Sequence, residues 1–291
     1  TGDRLIESVA MQLQDDGAWT AAFDRNLDGV YYDFIVDFAD GASFRSADPW
    51  ARAAGINGRR SMVVDLPRTN PEGWADDERP RTPLSETMVW EAHVGSFSNN
   101  PHGGFPKEHQ GKYLAFTDTG TSLDGDGTFP TGIAYLKRLG VTAVQLLPFY
   151  DYGSVDESDA RQFNWGYDPL NYNVPEGSFS TDPYDGAVRI TECKRMIQSL
   201  HAAGFKVIMD VVYNHMYSAD NWFERTVPGY FMRRNEDGTL SNGSGCGDDM
   251  ATEREMFRRF IVESVTYWAR EYHIDGFRFD LMGLIDVTTM N

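Results

Sequence analysis

The sequence predicts an α/β fold in which parallel strands alternate with helices, preceded by a small β domain. From residue 87 onwards, short and almost continuously apolar strand candidates alternate with helix patterns, which is typical of parallel βα units. Long loops follow the first three of these strands, and in a βα barrel such loops build the active site at the C-terminal rim. A doubly wound open sheet is the competing fold, but no glycine-rich phosphate loop follows the first strand.

The parallel part contains four strand candidates. They span residues 88–94, 141–148, 205–212 and 274–281. The helix candidate at 185–203 has apolar residues at the spacing of one helix face, and these are Cys193, Met196, Ile197 and Leu200. A further helix is expected to begin near Thr252, which forms the pattern of a capping box with Glu255.

The chain divides into three parts by composition. Residues 1–75 resemble a small β domain, with short strand candidates such as 5–11 separated by turn residues. The strands are too few for two full sheets, so we expect a partial β-sandwich that lacks its N-terminal part. Residues 76–86 belong to a stretch rich in proline and charge and are predicted to be a linker. Residues 87–291 form the α/β unit.

The composition argues against several classes of function. With 41% hydrophobic residues, the 291-residue chain can bury a core, and its net charge of −18 disfavours nucleic acid and anionic membranes as partners. No apolar run approaches the ~18 residues of a membrane span. Cys193 and Cys246 form neither a disulfide framework nor a metal motif. The sequence leaves open whether the protein is cytoplasmic or secreted.

The strand candidate at 274–281 places a cation beside a carboxylate. Because residues two apart on a strand share a face, Arg278 and Asp280 point the same way. Taking such a pair out of water costs desolvation energy, so we expect the pair where the site has a function. The arginine keeps the carboxylate ionised and oriented. An ionised, oriented carboxylate is what a nucleophile in sugar transfer needs. Asp210 ends the preceding strand candidate, so a barrel would bring it to the same rim.

Three motifs resemble those of a known family. DVVYNH at residues 210–215 and GFRFD at 276–280 resemble the first two diagnostic motifs of the α-amylase superfamily of glycoside hydrolases. FNWGYDP at 163–169 resembles the signature of type I pullulanases, in which a tyrosine usually stands in place of Phe163. The N-terminal region is similar to the starch- and glycogen-binding module that precedes these barrels.

The resemblance implies both an architecture and an activity. The architecture is the first half of a TIM (β/α)8 barrel preceded by a partial β-sandwich carbohydrate-binding module. The activity is that of a retaining glycoside hydrolase that cleaves α-1,6-glucosidic linkages in pullulan and branched α-glucans, with an α-glucan polysaccharide or oligosaccharide as the ligand. An isoamylase-like relative and a non-catalytic α-glucan-binding fragment remain as alternatives.

The resemblance also assigns roles to the strand-end residues. Asp280 is the expected nucleophile, which attacks the anomeric carbon to form a β-linked glycosyl-enzyme. Arg278 is expected to hold Asp280 ionised, and Asp210 to support Arg278. His215 is expected to donate hydrogen bonds to the bound glucose, and Tyr167 to stack beneath the same ring. Taken alone, Asp210 and His215 are more typical of residues that fix loops.

The remaining site residues lie in or near the third motif. Asp168 is expected to bind sugar hydroxyls, and Trp165 is either a sugar platform or a residue that packs within its loop. His93, on the first strand candidate, points either to the rim or to the core. No metal site and no cofactor are predicted, and a requirement for calcium is left open.

Two catalytic residues of the family have no counterpart in the sequence. These are the general acid, a glutamate after the fifth strand, and an aspartate after the seventh. The sequence ends at Asn291, 11 residues after Asp280 (291 − 280). We therefore expect a fragment or one part of a split enzyme, inactive or nearly so alone because nothing protonates the leaving oxygen. The expected partner is a second chain or segment that completes the barrel.

Overall fold

The computed structural model describes residues 5–159 and 161–291. The strands of the N-terminal region are short: β1 (Gln12–Leu13), β2 (Trp19–Thr20), β3 (Tyr31–Tyr32), β4 (Phe34–Asp37), β5 (Ser43–Ser46) and β6 (Ser61–Met62). They pair antiparallel as three separate two-stranded sheets, β1 with β2, β3 with β6 and β4 with β5. The strand predicted at residues 5–11 is wrong: this segment is exposed and forms no regular structure, because a strand there would bury nothing.

The second part of the chain contains the longer elements. In chain order they are β7 (Val89–Ala92), α1 (Val94–Ser98), α2 (Gly132–Leu139), β8 (Ala143–Leu146), β9 (Tyr150–Tyr152), β10 (Pro169–Pro175), α3 (Gly186–Ala202), β11 (Lys206–Val211), α4 (Trp222–Thr226), α5 (Glu255–Glu271), β12 (Gly276–Phe279) and α6 (Val287–Met290). Short 3-10 turns connect many of these elements, among them Trp74–Asp76 and Met282–Leu284.

Four of these strands form one parallel sheet. The order in space is β12-β11-β8-β7, so each strand lies beside the next one in the chain. A doubly wound sheet reverses its strand order at a switch point, whereas a βα barrel adds strands in one direction. The observed order excludes the doubly wound alternative and confirms an α/β fold of the TIM-barrel type. All four predicted strands are present, each shorter than predicted at both ends.

Helix α3 covers the sheet with its predicted apolar face. Cys193, Met196, Ile197 and Leu200 are fully buried. Asp185 caps this helix, because its side chain accepts a hydrogen bond from the backbone of Ala187.

The capping box predicted for helix α5 is wrong. The helix begins at Glu255 after Arg254, which makes no side-chain cap. The Thr252 hydroxyl accepts a hydrogen bond from the backbone of Asp286 instead, 2.9 Å away. A contact with a distant segment therefore replaces the local cap.

An antiparallel hairpin interrupts the βα alternation after β8. Strands β9 and β10 pair through Tyr152 with Pro169 and Asp151 with Asn171. The segment between them carries the third sequence motif, so the hairpin holds the base of that loop. No sequence pattern predicted this hairpin.

The N-terminal region shares a core with the parallel sheet. Ala53, Met62 and Trp74 are buried in the same hydrophobic cluster as residues of the sheet and of α3. Cys193 is a buried free thiol and Cys246 an exposed one. Within the described residues, none of the helices has both the length and the apolar character needed to cross a bilayer.

Candidate active site

A single arginine nitrogen joins two carboxylates at the C-terminal ends of β11 and β12. The strand register places Arg278 directly beside Asp210. Arg278 Nη1 lies 2.9 Å from Asp210 Oδ1 and 2.9 Å from Asp280 Oδ1. We call these three residues the rim cluster. The predicted pairing of Arg278 with both aspartates is therefore present in the structure.

Asp210 is the buried member of the rim cluster. Its side chain has no exposed surface, and the Tyr167 hydroxyl donates a 2.8 Å hydrogen bond to its Oδ2. Burial raises the pKa of Asp210, and its bonds to Arg278 and Tyr167 oppose that effect. The hydrogen bond from Arg278 to Asp210 raises the pKa of the guanidinium, which keeps Arg278 charged. Asp210 thus fixes Arg278 and Tyr167 in place.

Asp280 is the accessible carboxylate of the cluster. Its side chain is 16% exposed. Only Oδ1 is bonded, to Arg278, and Oδ2 has no hydrogen-bond partner among the described residues. The backbone is held on both sides: Asp280 N donates to Val211 O, and Asn214 Nδ2 donates to Asp280 O. Because the backbone of Asp280 is fixed and one carboxylate oxygen has no partner among the described residues, this carboxylate is placed to attack a bound ligand.

The chain turns sharply directly after Asp280. Leu281 has φ +43°, a left-handed conformation that is rare for a residue with a branched side chain. The turn ends β12 and starts the 3-10 turn at 282–284. This conformation keeps Asp280 at the end of the strand, at the rim of the sheet.

His215 is buried beside the rim cluster. Its Nε2 lies 2.7 Å from Tyr167 O, and its Nδ1 lies 2.5 Å from Asn214 Oδ1. Both ring nitrogens therefore contact protein oxygens, and a sugar hydroxyl would have to replace Tyr167 O to reach Nε2. The contact with Tyr167 places the histidine against the third motif, while its role toward sugar stays a prediction.

The loop of the third motif presents the remaining predicted residues. Asn164 Nδ2 donates to both carboxylate oxygens of Asp168, at 2.9 and 3.1 Å. Trp165 is 61% exposed. Gly166 has φ +88°, and a Cβ there would lie 2.5 Å from Pro148 O, so only glycine fits where the loop crosses the end of the second parallel strand.

His93 lies at the rim and positions this same loop. Its Nε2 lies 2.9 Å from Asn164 O, and its Nδ1 accepts a hydrogen bond from Ser96 N. The ring packs at 4.8 Å from the ring of Phe163 and 5.3 Å from that of Phe179. Burial lowers the pKa of His93, which favours the neutral ring that these contacts require. Through its contact with Asn164, His93 fixes the loop of the third motif.

Sequence reasoning missed a second group of charged residues beneath the hairpin. We call Asp151, Glu157, Glu176 and Arg189 the buried cluster, since each is at most 5% exposed. Arg189 forms ion pairs with Asp151 and Glu157 at 3.4 and 2.9 Å. Arg189 precedes Cys193 by four residues on the apolar face of α3, and a cation at that position is a signal that could have revealed it.

The buried cluster also joins the two parts of the chain. Asn57 N donates to Glu157 Oε2 at 2.6 Å, and Glu157 N donates to Asn57 Oδ1 at 2.8 Å. Arg189 reaches Gly55 O as well. The N-terminal region is thus held against the base of the hairpin that carries the third motif.

The three carboxylates of the buried cluster are the group among the described residues that could coordinate a metal ion, with ligand atoms within 4.8 Å of one another. Arg189 already lies between them with no exposed surface and supplies the compensating positive charge. A divalent cation there would lie against the guanidinium. The cluster therefore does not fit a calcium site.

Comparison with known proteins shows which proteins the chain is similar to. Residues 115–237 match the family described as alpha amylase, catalytic domain. The chain is 40% identical over 282 residues to the pullulanase of Bacillus subtilis strain 168, an alignment that covers 96% of this chain and 38% of the relative. It is 32% identical over 336 residues to pullulanase 1, chloroplastic, of Arabidopsis thaliana, which covers 99% of this chain and 34% of the relative.

The fold of the chain is also similar to that of pullulanases. The crystal structure of the pullulanase from Paenibacillus barengoltzii in complex with maltohexaose and alpha-cyclodextrin superimposes with a TM-score of 0.95 at 46% identity. The superposition covers 99% of this chain and 45% of that chain. The chain thus spans less than half the length of these relatives. Its residues 115–237 match the α-amylase catalytic domain, and its sequence and fold are similar to those of pullulanases over nearly its whole length.

Proposed function

We propose that the chain supplies the nucleophile side of a retaining glycoside hydrolase site that cleaves α-1,6-glucosidic linkages in pullulan and branched α-glucans. The observation that carries the proposal is the rim cluster. Asp280 presents at a strand end an Oδ2 that has no hydrogen-bond partner among the described residues, while Arg278 holds Oδ1 at 2.9 Å. The complex of the Paenibacillus barengoltzii pullulanase with maltohexaose supports an α-glucan as the ligand.

In this proposal each member of the rim cluster has a separate task. Asp280 Oδ2 attacks the anomeric carbon and forms the glycosyl ester as the bond from that carbon to the glycosidic oxygen breaks, and the general acid from outside this chain protonates the leaving oxygen. Arg278 orients the carboxylate and stabilises its charge before attack. Asp210 stays bound to Arg278 and Tyr167, so that it positions both without contacting the reacting carbon.

Residues of the third motif and its neighbours would bind the sugar. Tyr167 presents a flat ring that would stack beneath the glucose next to the scissile bond. His215 would donate from Nε2 to a hydroxyl of that glucose, which would take the place of Tyr167 O, and Asp168 would accept from hydroxyls nearby. Trp165 is exposed enough to serve as an outer platform.

The finer architecture is part of the same proposal. The four parallel strands would be the first half of a (β/α)8 barrel at residues 87–291, because within the described chain β7 and β12 each pair with one neighbour only. Residues 1–75, with their small antiparallel sheets, would be part of a β-sandwich starch- or glycogen-binding module, joined by the linker at 76–86.

The general acid would come from outside this chain. Among the described residues, the carboxylates that pair with Arg278 are Asp210 and Asp280, and no glutamate forms an ion pair with it. A second chain or segment that completes the barrel would supply the acid. The chain alone would then bind glucan but turn it over slowly or not at all.

The test is to measure hydrolysis of pullulan by the chain at micromolar concentration, first alone and then after addition of a segment that completes the barrel. We expect negligible hydrolysis alone and recovery on mixing, with no recovery for Asp280→Asn. Turnover by the chain alone at a rate typical of hydrolases would contradict the need for an external acid. Binding without hydrolysis in every mixture would favour a non-catalytic glucan-binding fragment. A strong preference for branched glycogen over pullulan would favour an isoamylase-like specificity.

A further inference from the structure

Tyr217 combines an exposed ring with a fixed backbone. The residue is 47% exposed, yet its backbone N–H donates to Pro169 O at 2.8 Å. The preceding Met216 is buried and donates its N–H to Asp248 O. The segment is thus held between the start of β10 and the loop that contains Asp248, while the tyrosine ring is partly exposed to solvent.

One part of the Tyr217 ring lies against a glycine. A Cβ on Gly153 would lie 2.3 Å from Cγ of the ring and 2.5 and 2.6 Å from its two Cδ atoms. The absence of a side chain at Gly153 is what lets the ring occupy this position. Gly153 is itself bonded through its N–H to Asp168 O, so the ring lies close to the motif loop.

The surroundings of the ring have the chemistry of a sugar site. The Tyr217 hydroxyl makes no hydrogen bond to any residue that the structure describes, so it is open to a ligand. The Asp168 carboxylate has Asn164 as its side-chain partner and keeps further acceptor capacity. The Tyr217 ring lies against Gly153, whose N–H donates to the backbone oxygen of Asp168, so an exposed aromatic ring stands next to a residue with an acidic side chain. These two side chains match the chemistry of a pyranose, which has an apolar face and a ring of hydroxyls.

We propose that Tyr217 is a sugar-stacking residue that forms, with Asp168, a further α-glucan subsite beside the rim cluster. This inference rests on the proposed function, because it assumes that an α-glucan occupies the rim. The subsite is preformed, since the backbone contacts and Gly153 fix the ring before a ligand arrives.

The test is titration of the chain with maltotetraose by calorimetry. We expect Tyr217→Ala to weaken binding about two- to tenfold, the loss of one stacking contact, and Tyr217→Phe to bind almost as tightly as wild type. Gly153→Ala keeps the tyrosine but displaces its ring, so it should weaken binding to a similar extent. Tyr135→Ala is the matched control, because Tyr135 is 43% exposed on helix α2, outside the rim loops.

The outcomes separate the subsite from the function on which it rests. If wild type and Tyr217→Ala bind maltotetraose equally, the subsite is overturned and the proposed function stands. If Tyr217→Phe loses as much affinity as Tyr217→Ala, stacking is overturned as the mode of contact. If wild type does not bind at all, the proposed function fails and the subsite fails with it. Circular dichroism of each variant checks that the fold is retained.

Discussion

The rim cluster and the buried cluster are built from the same chemistry and differ in exposure. Each places one arginine between acidic side chains at distances of 2.9 to 3.4 Å. The side chain of Arg278 is 43% exposed, whereas that of Arg189 is fully buried.

In the buried cluster, backbone N–H groups bind the carboxylate oxygens. Glu176 accepts from Tyr152 N and Ser178 N, and Glu157 accepts from Asn57 N and Gly177 N. Apart from the local bond from Ser178, these bonds join residues that are 20 to 100 positions apart in the chain. The carboxylates of this cluster are buried, so its role is to hold the hairpin and the N-terminal region together.

In the rim cluster, only one carboxylate is buried. Asp210 is bonded on both oxygens, but Asp280 keeps one oxygen free among the described residues. Partial exposure therefore distinguishes a reactive carboxylate from a structural one here, and the arginine orients the carboxylate in both cases. Substitutions in the buried cluster should therefore change mainly stability, and substitutions of Asp280 should change mainly reactivity.

The largest effect on stability is expected from Arg189→Met. Removal of the cation leaves buried carboxylates without compensation, which costs about 3–5 kcal/mol of the free energy of unfolding. Urea unfolding of the variant and wild type measures this loss. A loss below about 1 kcal/mol would mean that the buried cluster does not depend on its arginine.

The second prediction concerns pH. Burial, assisted by the charge of Glu157, raises the pKa of Glu176 to about 8. Between the ordinary value and 8 the folded state holds a proton that the unfolded state has lost, so stability falls as pH rises. For this group the fall is at most about 1.4 kcal/mol per pH unit. Urea unfolding from pH 5 to 9 (roughly the span of the two pKa values) should show it.

The variant Glu176→Gln is the control for that slope. It cannot ionise, so the dependence on pH should become shallower. The slope that remains has the same sign, because hydrogen bonds to Asp275 and Asp77 outweigh burial and raise the pKa of His201 to about 9. The charged histidine stabilises the fold below its ordinary pKa, and this contribution is lost as pH rises toward 9. An unchanged slope in Glu176→Gln would contradict the assignment.

A smaller loss of stability is expected from Arg278→Met. The arginine is partly exposed, so solvent compensates much of the charge it leaves behind, and only Asp210 remains buried. Urea unfolding should give a loss well below that of Arg189→Met, while binding of maltotetraose weakens because Asp280 and Tyr167 lose their orientation. Equal losses for the two arginine variants would remove the distinction between the clusters.

The smallest effect on stability is expected from Asp280→Asn. One bond to a partly exposed arginine is lost, so the unfolding midpoint in urea should stay close to that of wild type. Activity with the completed barrel should nevertheless disappear, because an amide cannot act as the nucleophile. A variant that keeps activity would exclude Asp280 from the chemistry.

The sequence predicted the rim cluster better than the buried one. The period of two on a strand placed Arg278 beside Asp280, and the strand order of a barrel placed Asp210 next to them. The first is a short-range feature of one strand, and the second follows from the order in which neighbouring strands add to a barrel. The hairpin and the bond between Asn57 and Glu157, a hundred positions apart, depend on tertiary contacts that no local pattern encodes.

The failed helix cap has the same cause. Thr252 and Glu255 have the right spacing, but the threonine hydroxyl bonds to Asp286 more than thirty residues away. Local propensity was outweighed by a contact from a distant part of the chain. The exposed segment at residues 5–11 is the opposite case, in which a strand-like pattern has no partner to bury it.

The most direct test of the account is covalent labelling with α-maltotriosyl fluoride. Fluoride leaves without a general acid, so Asp280 Oδ2 can displace it even when the acid is absent, forming the bond to the anomeric carbon as the carbon–fluorine bond breaks. We predict a glycosyl adduct by intact-mass measurement, located on the peptide that contains Asp280 and absent in Asp280→Asn. No adduct on wild type, or an equal adduct on the variant, would contradict Asp280 as the nucleophile.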